Sequence, residues 1–452
     1  MTETASPSLP PRPRMRSRPL RHLPTLALAA AAASAALPAA AQELSWSTYG
    51  TLAYARSDRD FHYLRSIDRS GSASRDTVLG LQGDLRLSPQ WAATAQLKLE
   101  PSSKADARWA LKPAWAFLAW RPDDDWMLRA GRLRLPIYLH SEAMDVGQSH
   151  DMARLPAELY TVVPVPDYEG GNVSRGWVLD GGGTERELTV EAFGGRARST
   201  ARFWLRDGLP PQLPAGAVFW PVRVQLGGLA VTLRQPDLLL RSSLTRTALH
   251  RTDGQGMAVD YPYVALAPGL GYYQVSDALP GPGVVSRARI HNTLFSIGAE
   301  WSLGQGWRVT GEFVRDVQHD TVFGADATAG YLALFRQLDR LTPYVSVARR
   351  SSRQAGFDWH QRLLANPLPA SVPGAATINA AQRVAAETHW LTDQASVALG
   401  AAYALTPAVK LKAEWLHTRI GQLSQLVDTP PGAQTPGRTC VNVWSVNLNY
   451  AF

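Results

Sequence analysis

The chain is 452 residues long, with 45% hydrophobic and 19% charged residues, a balance that excludes an intrinsically disordered protein. A single cysteine, Cys440, excludes an intrachain disulfide framework and a zinc site built on several thiolates. The net charge of +8 hints at nucleic acid, but much of it lies in the first 41 residues.

Those residues read as an export signal. Arg12, Arg14, Arg16, Arg18 and Arg21 form a basic start, Leu23 to Leu37 an apolar stretch, and Ala39-Ala40-Ala41 a small-residue cleavage site. Met15–Ala41 alone has the usual length of such a signal. Removing residues 1–41 takes away five Arg and one Glu, so the charge falls from +8 to +4 and no nucleic-acid partner is expected. The mature domain is then 42–452.

After residue 41 no apolar run reaches the roughly 18 residues of a membrane-spanning helix. A barrel strand needs only about 9–11 residues, alternating apolar toward lipid and polar toward the lumen. The segment 77–100 does this twice: Leu79, Leu81, Leu85 and Leu87 alternate with polar or small residues, a Ser88-Pro89-Gln90 turn follows, and Trp91, Ala93, Ala95, Leu97 and Leu99 resume the pattern. A soluble sandwich would alternate similarly. The tryptophans favour the membrane. Trp91, Trp126 and Trp307 each follow a tight turn, while Trp120 and Trp301 precede two of those turns, as an interfacial girdle requires and core filling does not.

The alternation predicts sixteen strands, near 44–57, 75–88, 90–100, 112–121, 126–133, 173–180, 186–197, 219–234, 238–250, 286–303, 306–318, 328–338, 341–350, 392–406, 408–420 and 440–452. In the eighth, the phase change at Gly227-Gly228 reads as a bulge. Seven connections are tight turns and the others are mostly longer, including 134–172, 251–285 and 351–391. Short turns at one end and long loops at the other predict an all-β, antiparallel transmembrane barrel. At the C-terminus, Trp444, Val446, Leu448 and Tyr450 fill every second position, and the chain stops on Phe452.

These features resemble the general porins of Gram-negative outer membranes. The resemblance rests on Ala130-Gly131-Arg132, on Val165-Pro166-Asp167-Tyr168-Glu169-Gly170-Gly171 and on Tyr450-Ala451-Phe452, and covers the mature chain in architecture. It implies a homotrimer in outer-membrane lipid whose third loop folds into the pore and through which small hydrophilic solutes and ions diffuse. It also implies that the barrel-assembly machinery reads Phe452, Tyr450 and Leu448. The Pro- and Ala-rich loops, above all 351–391, depart from the pattern.

A sixteen-strand barrel is too wide for its own side chains to fill. The expected constriction is loop 134–172, with Arg134, Asp145, Asp151, Glu158, Asp167 and Glu169 facing Arg86, Lys98 and Arg129 of the wall, and Gly170-Gly171 turning the chain back. The phase also points Arg241, Arg308, Lys410, Lys412, Glu312 and Glu414 into the lumen. A substrate-selective channel of the same architecture is the alternative. A barrel-based enzyme is a weaker one, since no G-x-S-x-G or other nucleophile motif occurs, and His140 and His150 fit no metal-ligand spacing. The third rival is a soluble, secreted carbohydrate-binding sandwich. No catalytic residue, metal or cofactor is expected.

Overall fold

The computed structural model describes residues 43–452 apart from 103–105, 107, 164, 182–183 and 434–436. The expected signal segment, 1–41, lies outside the described residues. Sixteen antiparallel strands close into one barrel: β1 (Glu43–Ser57), β2 (Val78–Arg86), β3 (Trp91–Pro101), β4 (Trp109–Trp120), β5 (Trp126–Arg134), β6 (Asp167–Gly181), β7 (Thr184–Leu205), β8 (Gly216–Arg234), β9 (Leu238–Arg251), β10 (Ile290–Gly304), β11 (Trp307–Gln318), β12 (Ala327–Arg336), β13 (Leu341–Ser352), β14 (Thr392–Thr406), β15 (Val409–Ser424) and β16 (Thr439–Ala451). Each pairs with its sequence neighbours, and β16 returns to β1 with Leu448 opposite Leu52. Closure leaves no unpaired edge, which alone makes a strand-built wall compatible with lipid.

The alternation has the physical meaning expected of a membrane wall. On β16, Trp444 and Val446 are half exposed, whereas Ser445, Asn447 and Asn449 are buried inside. Leu97 and Leu399 likewise point outward. All five turn-end tryptophans, Trp91, Trp120, Trp126, Trp301 and Trp307, are exposed; Trp91 stacks on Trp120 at 5.8 Å, and Arg336 sits 4.9 Å over Trp307. Among the described residues no helix is long and apolar enough to cross a membrane.

Three sequence expectations change. First, β6 begins at Asp167, so the loop after β5 is 135–166, and Gly170-Gly171 do not turn the chain; they pair with Gly131 and Ala130 in mid-ladder. A Cβ on Gly170 would lie 2.1 Å from the Gly194 carbonyl, so glycine serves close strand approach here. Second, β8 carries no bulge at Gly227-Gly228, since its register runs unbroken against both β7 and β9. Val222, Val224 and Leu226 stay in one phase with Ala230 and are all buried, so the inner wall itself turns apolar. Third, the long loops contain regular structure. Segment 351–391 holds α2 (Gln354–Ala365) and α3 (Ala375–Glu387), and 251–287 holds two small antiparallel pairs.

Candidate functional site

Loop 135–166 folds inside the barrel and meets the wall on many sides. Its own short helix, α1 (Ala157–Tyr160), is too brief to stabilise itself, so its position depends on side-chain anchors. Leu135, Ile137, Met152, Leu155, Leu159 and Val162 pack into one apolar cluster with inner-wall residues of β6 to β13. Burial of these six side chains contributes of order 1.5–3 kcal/mol each relative to exposure. The loop is a packed element of the lumen.

Charge fixes its register. Asp145 accepts from Lys98 at 2.7 Å and from Arg134 at 2.6 Å. Burial alone would raise the Asp145 carboxyl, but the adjacent Arg134 and then Lys98 hold it well below the usual carboxylate range. Asp151 bridges Arg308 at 2.5 Å and Lys410 at 2.8 Å. Glu158, which is buried, accepts from Gln394 at 2.8 Å, and Arg154 pairs with Asp76. The Lys412 ammonium, fully buried, donates to the carbonyls of Gly147 (2.6 Å) and Met152 (2.9 Å). Glu312 accepts from the Leu139 backbone N–H at 2.8 Å and from the Tyr331 hydroxyl at 2.9 Å.

The expected site residues therefore divide. Lys98, Arg134, Asp145, Asp151 and Glu158 meet inside the barrel as loop anchors. Asp167 joins them from β6, 2.7 Å from the Arg134 guanidinium, and is buried. Arg129 faces Glu142 of the loop at 3.6 Å and Glu191 at 3.3 Å. Glu169 does not join these anchors: although it shares a face of β6 with Asp167, it stays half exposed and lies 3.7 Å from the exposed Arg196. Arg86 sits at the turn-end rim, largely exposed, 3.8 Å from Glu43. The sequence missed Asp76 and Tyr344. Tyr344 accepts from the Ala153 N–H at 2.9 Å and donates to Glu414 at 2.8 Å. Asp76 falls within the strand expected at 75–88, but that strand begins only at Val78, and alternation does not show which partner an acid meets.

Two further features of the inner wall lie beside the loop. One is polar and lies against Arg129, Glu142, Asn172, Glu191 and Arg241, where Glu142 keeps half its side chain exposed. The other is an apolar cavity of about 790 Å³ bounded by β7 to β11, the inward loop and the 353–391 segment.

No protein-family model matches the sequence, and no curated protein matches it in sequence. Solved structures similar in fold include OmpT, an outer-membrane protein of Vibrio cholerae, with 12% identity over 92% of this chain and 99% of that one and a TM-score of 0.48. Also similar are OmpF of Salmonella typhi, solved with daunomycin (10% identity, 91% and 98% covered, TM-score 0.48), and OprB of Pseudomonas putida (11%, 90% and 94%, 0.46). At such identity the function must be argued from the barrel's own side chains.

Proposed function

We propose that the protein is a channel of the bacterial outer membrane that lets small hydrophilic solutes and ions diffuse passively, without cofactor or chemistry. One observation carries the reading: a closed barrel, apolar outside and charged inside, holds an inward loop by ion pairs to opposite walls, as Asp145 does to Lys98 of β3 and Asp151 to Arg308 of β11. Such a loop narrows a pore without closing a catalytic constellation. The tight turns then face the periplasm and the long loops the outside. Export with removal of 1–41, recognition of the last strand by the assembly machinery and a homotrimer belong to the same proposal. Purified protein reconstituted in a planar bilayer should give discrete conductance steps; a folded, inserted protein that gives none would end the reading.

The apolar cavity favours a second, narrower reading, a substrate-selective channel of this architecture. Apolar inner wall is of no use to ions in water, and β7 and β8 devote Phe203, Val222, Val224 and Leu226 to it.

A further inference from the structure

An aqueous pore has no reason to line its wall with hydrocarbon. The inner phase of β8 nevertheless reads Val222, Val224, Leu226, and Phe203 of β7 and Leu294 of β10 continue the surface. These residues bound the 790 Å³ cavity, a volume in the range of small-molecule sites. Part of the lining is aromatic. The Phe203 and Trp220 rings lie 4.5 Å apart, Trp390 stacks on Phe203 at 5.6 Å, and the His389 ring lies parallel to Phe323 at 4.9 Å. Flat π-faces of this kind prefer another ring in offset or edge contact.

The wall also carries buried polar atoms left over from folding. Both ring nitrogens of His389, the Thr245 hydroxyl and the Gln318 amide nitrogen have no hydrogen-bond partner among the described residues, although His389 is 4% exposed and Thr245 1%. All three residues line the cavity. Unpaired buried groups cost stability, so their presence beside an apolar space marks where a bound molecule would hydrogen-bond. Burial, with a smaller contribution from His360, holds the His389 pKa down at about 3, so near neutrality it is an uncharged donor and acceptor. The charged groups of the lining are already engaged: Arg251 pairs with Asp253 at 3.0 Å and covers Trp220, Asp277 accepts from the Val284 N–H at 2.8 Å, and Asp316 accepts from Asn292 at 3.1 Å. Nothing there calls for an ionic ligand.

We propose that this cavity binds small, uncharged aromatic molecules bearing one or two hydroxyl groups. The assignment names the solute class of the selective channel and rests on that reading for its purpose, but binding is measurable whether or not the barrel conducts.

Refolded full-length barrel in detergent would be titrated with 2-naphthol by calorimetry, with protein-free micelles as the blank and glucose as the polar control. Saturable one-site binding of 2-naphthol, and none of glucose, is expected. Ala201→Phe, which fills the cavity from β7, should weaken 2-naphthol at least tenfold. Thr245→Val, nearly isosteric, should weaken it about three- to tenfold, the worth of one hydrogen bond, while leaving 2-methylnaphthalene unchanged. Heat-dependent gel mobility reports that each variant is folded. Uptake matching the blank, or equal affinity in wild type and both variants, would overturn the site. Saturable binding by a barrel that shows no conductance would overturn the channel reading alone, and conductance without saturable binding would overturn the site alone.

Discussion

Asp145 lies between Lys98 of β3 and Arg134 at the end of β5, 2.7 and 2.6 Å from their nitrogens, and so ties the inward loop to two wall strands through one carboxylate. Both cations are almost fully buried. Removing the charge leaves Lys98 with Glu100 at 2.9 Å and Arg134 with Asp167 at 2.7 Å, so the loss should be about 1.5–3 kcal/mol, the worth of a hydrogen bond to a charged group. Asp145→Asn should lower the urea midpoint of the folded barrel and raise hydrogen exchange in 135–166. A midpoint unchanged from wild type would mean that the apolar cluster alone holds the loop.

The membrane-facing phase is tested by charge. Leu97→Arg, Leu399→Arg and Val446→Arg place a guanidinium on the outer face at mid-strand, where it should cost about 2–4 kcal/mol at the bilayer midplane. Thr94→Arg, on the inner face beside Asp84, should cost far less, because Asp84 accepts from Thr94 at 2.6 Å and can pair with the new cation. Folding titrations into lipid vesicles compare the two sets. Ser396 looks equivalent to Thr94 by alternation but is buried, so it does not serve as a tolerant control.

That difference shows where the sequence was legible. Period-two alternation located all sixteen strands, because each strand meets lipid on one side and the lumen on the other, as Val446 and Asn447 do in succession. The alternation fails where the lumen is not water. Val222, Val224 and Leu226 face inward onto packed loop and cavity, so an apolar residue there no longer marks the outside, and the phase change read at Gly227-Gly228 was a change of environment. The loop acids were legible as a group, but their individual partners were not. Asp167 and Glu169 belong to β6 and not to the loop because β6 begins at Asp167, a start fixed by its pairing with β5.

The backbone and the ring of the last residue can be tested separately. The backbone of Phe452 exchanges hydrogen bonds of 2.8 Å with Thr48 in both directions, while its ring is exposed and sits 5.7 Å from Tyr450. Deleting Phe452 should reduce folded protein in the membrane. Phe452→Ala keeps both backbone bonds and removes only the ring, so it should fold normally in vitro yet assemble poorly in cells. Equal cellular yields of Phe452→Ala and wild type would deny the ring a role in recognition.

Glu387, at the end of α3, accepts from the Arg206 backbone N–H at 3.2 Å, and burial pushes its pKa up to about 7. A carboxyl raised in the folded state favours folding most below its unfolded value of about 4.3, and that contribution is lost as pH rises to about 7. Amides of 375–387, corrected for intrinsic rate, should be better protected at pH 5 than at pH 8. Glu387→Gln should abolish the difference, and a pH dependence surviving in that variant would assign it to another group.

Ion preference should rest on Glu142. Asp145, Asp151 and Asp167 are each held against one or more cations and are at most slightly exposed, so little of their charge reaches a passing ion. Glu169, half exposed, lies 3.7 Å from the exposed Arg196 and not against the inward loop. Glu142 keeps half its side chain exposed on the inward loop, 3.6 Å from Arg129, whose guanidinium is also held at 3.3 Å by Glu191. An acid opposite a cation across a narrow, low-dielectric gap sets a transverse field and draws counter-ions toward itself. Glu142→Gln should therefore move the zero-current potential in a salt gradient toward anion preference, with folded yield unchanged because half of the side chain is exposed. Glu169→Gln should leave the potential where it was. A shift produced by Glu169→Gln and absent from Glu142→Gln would place the ion path elsewhere than beside Arg129.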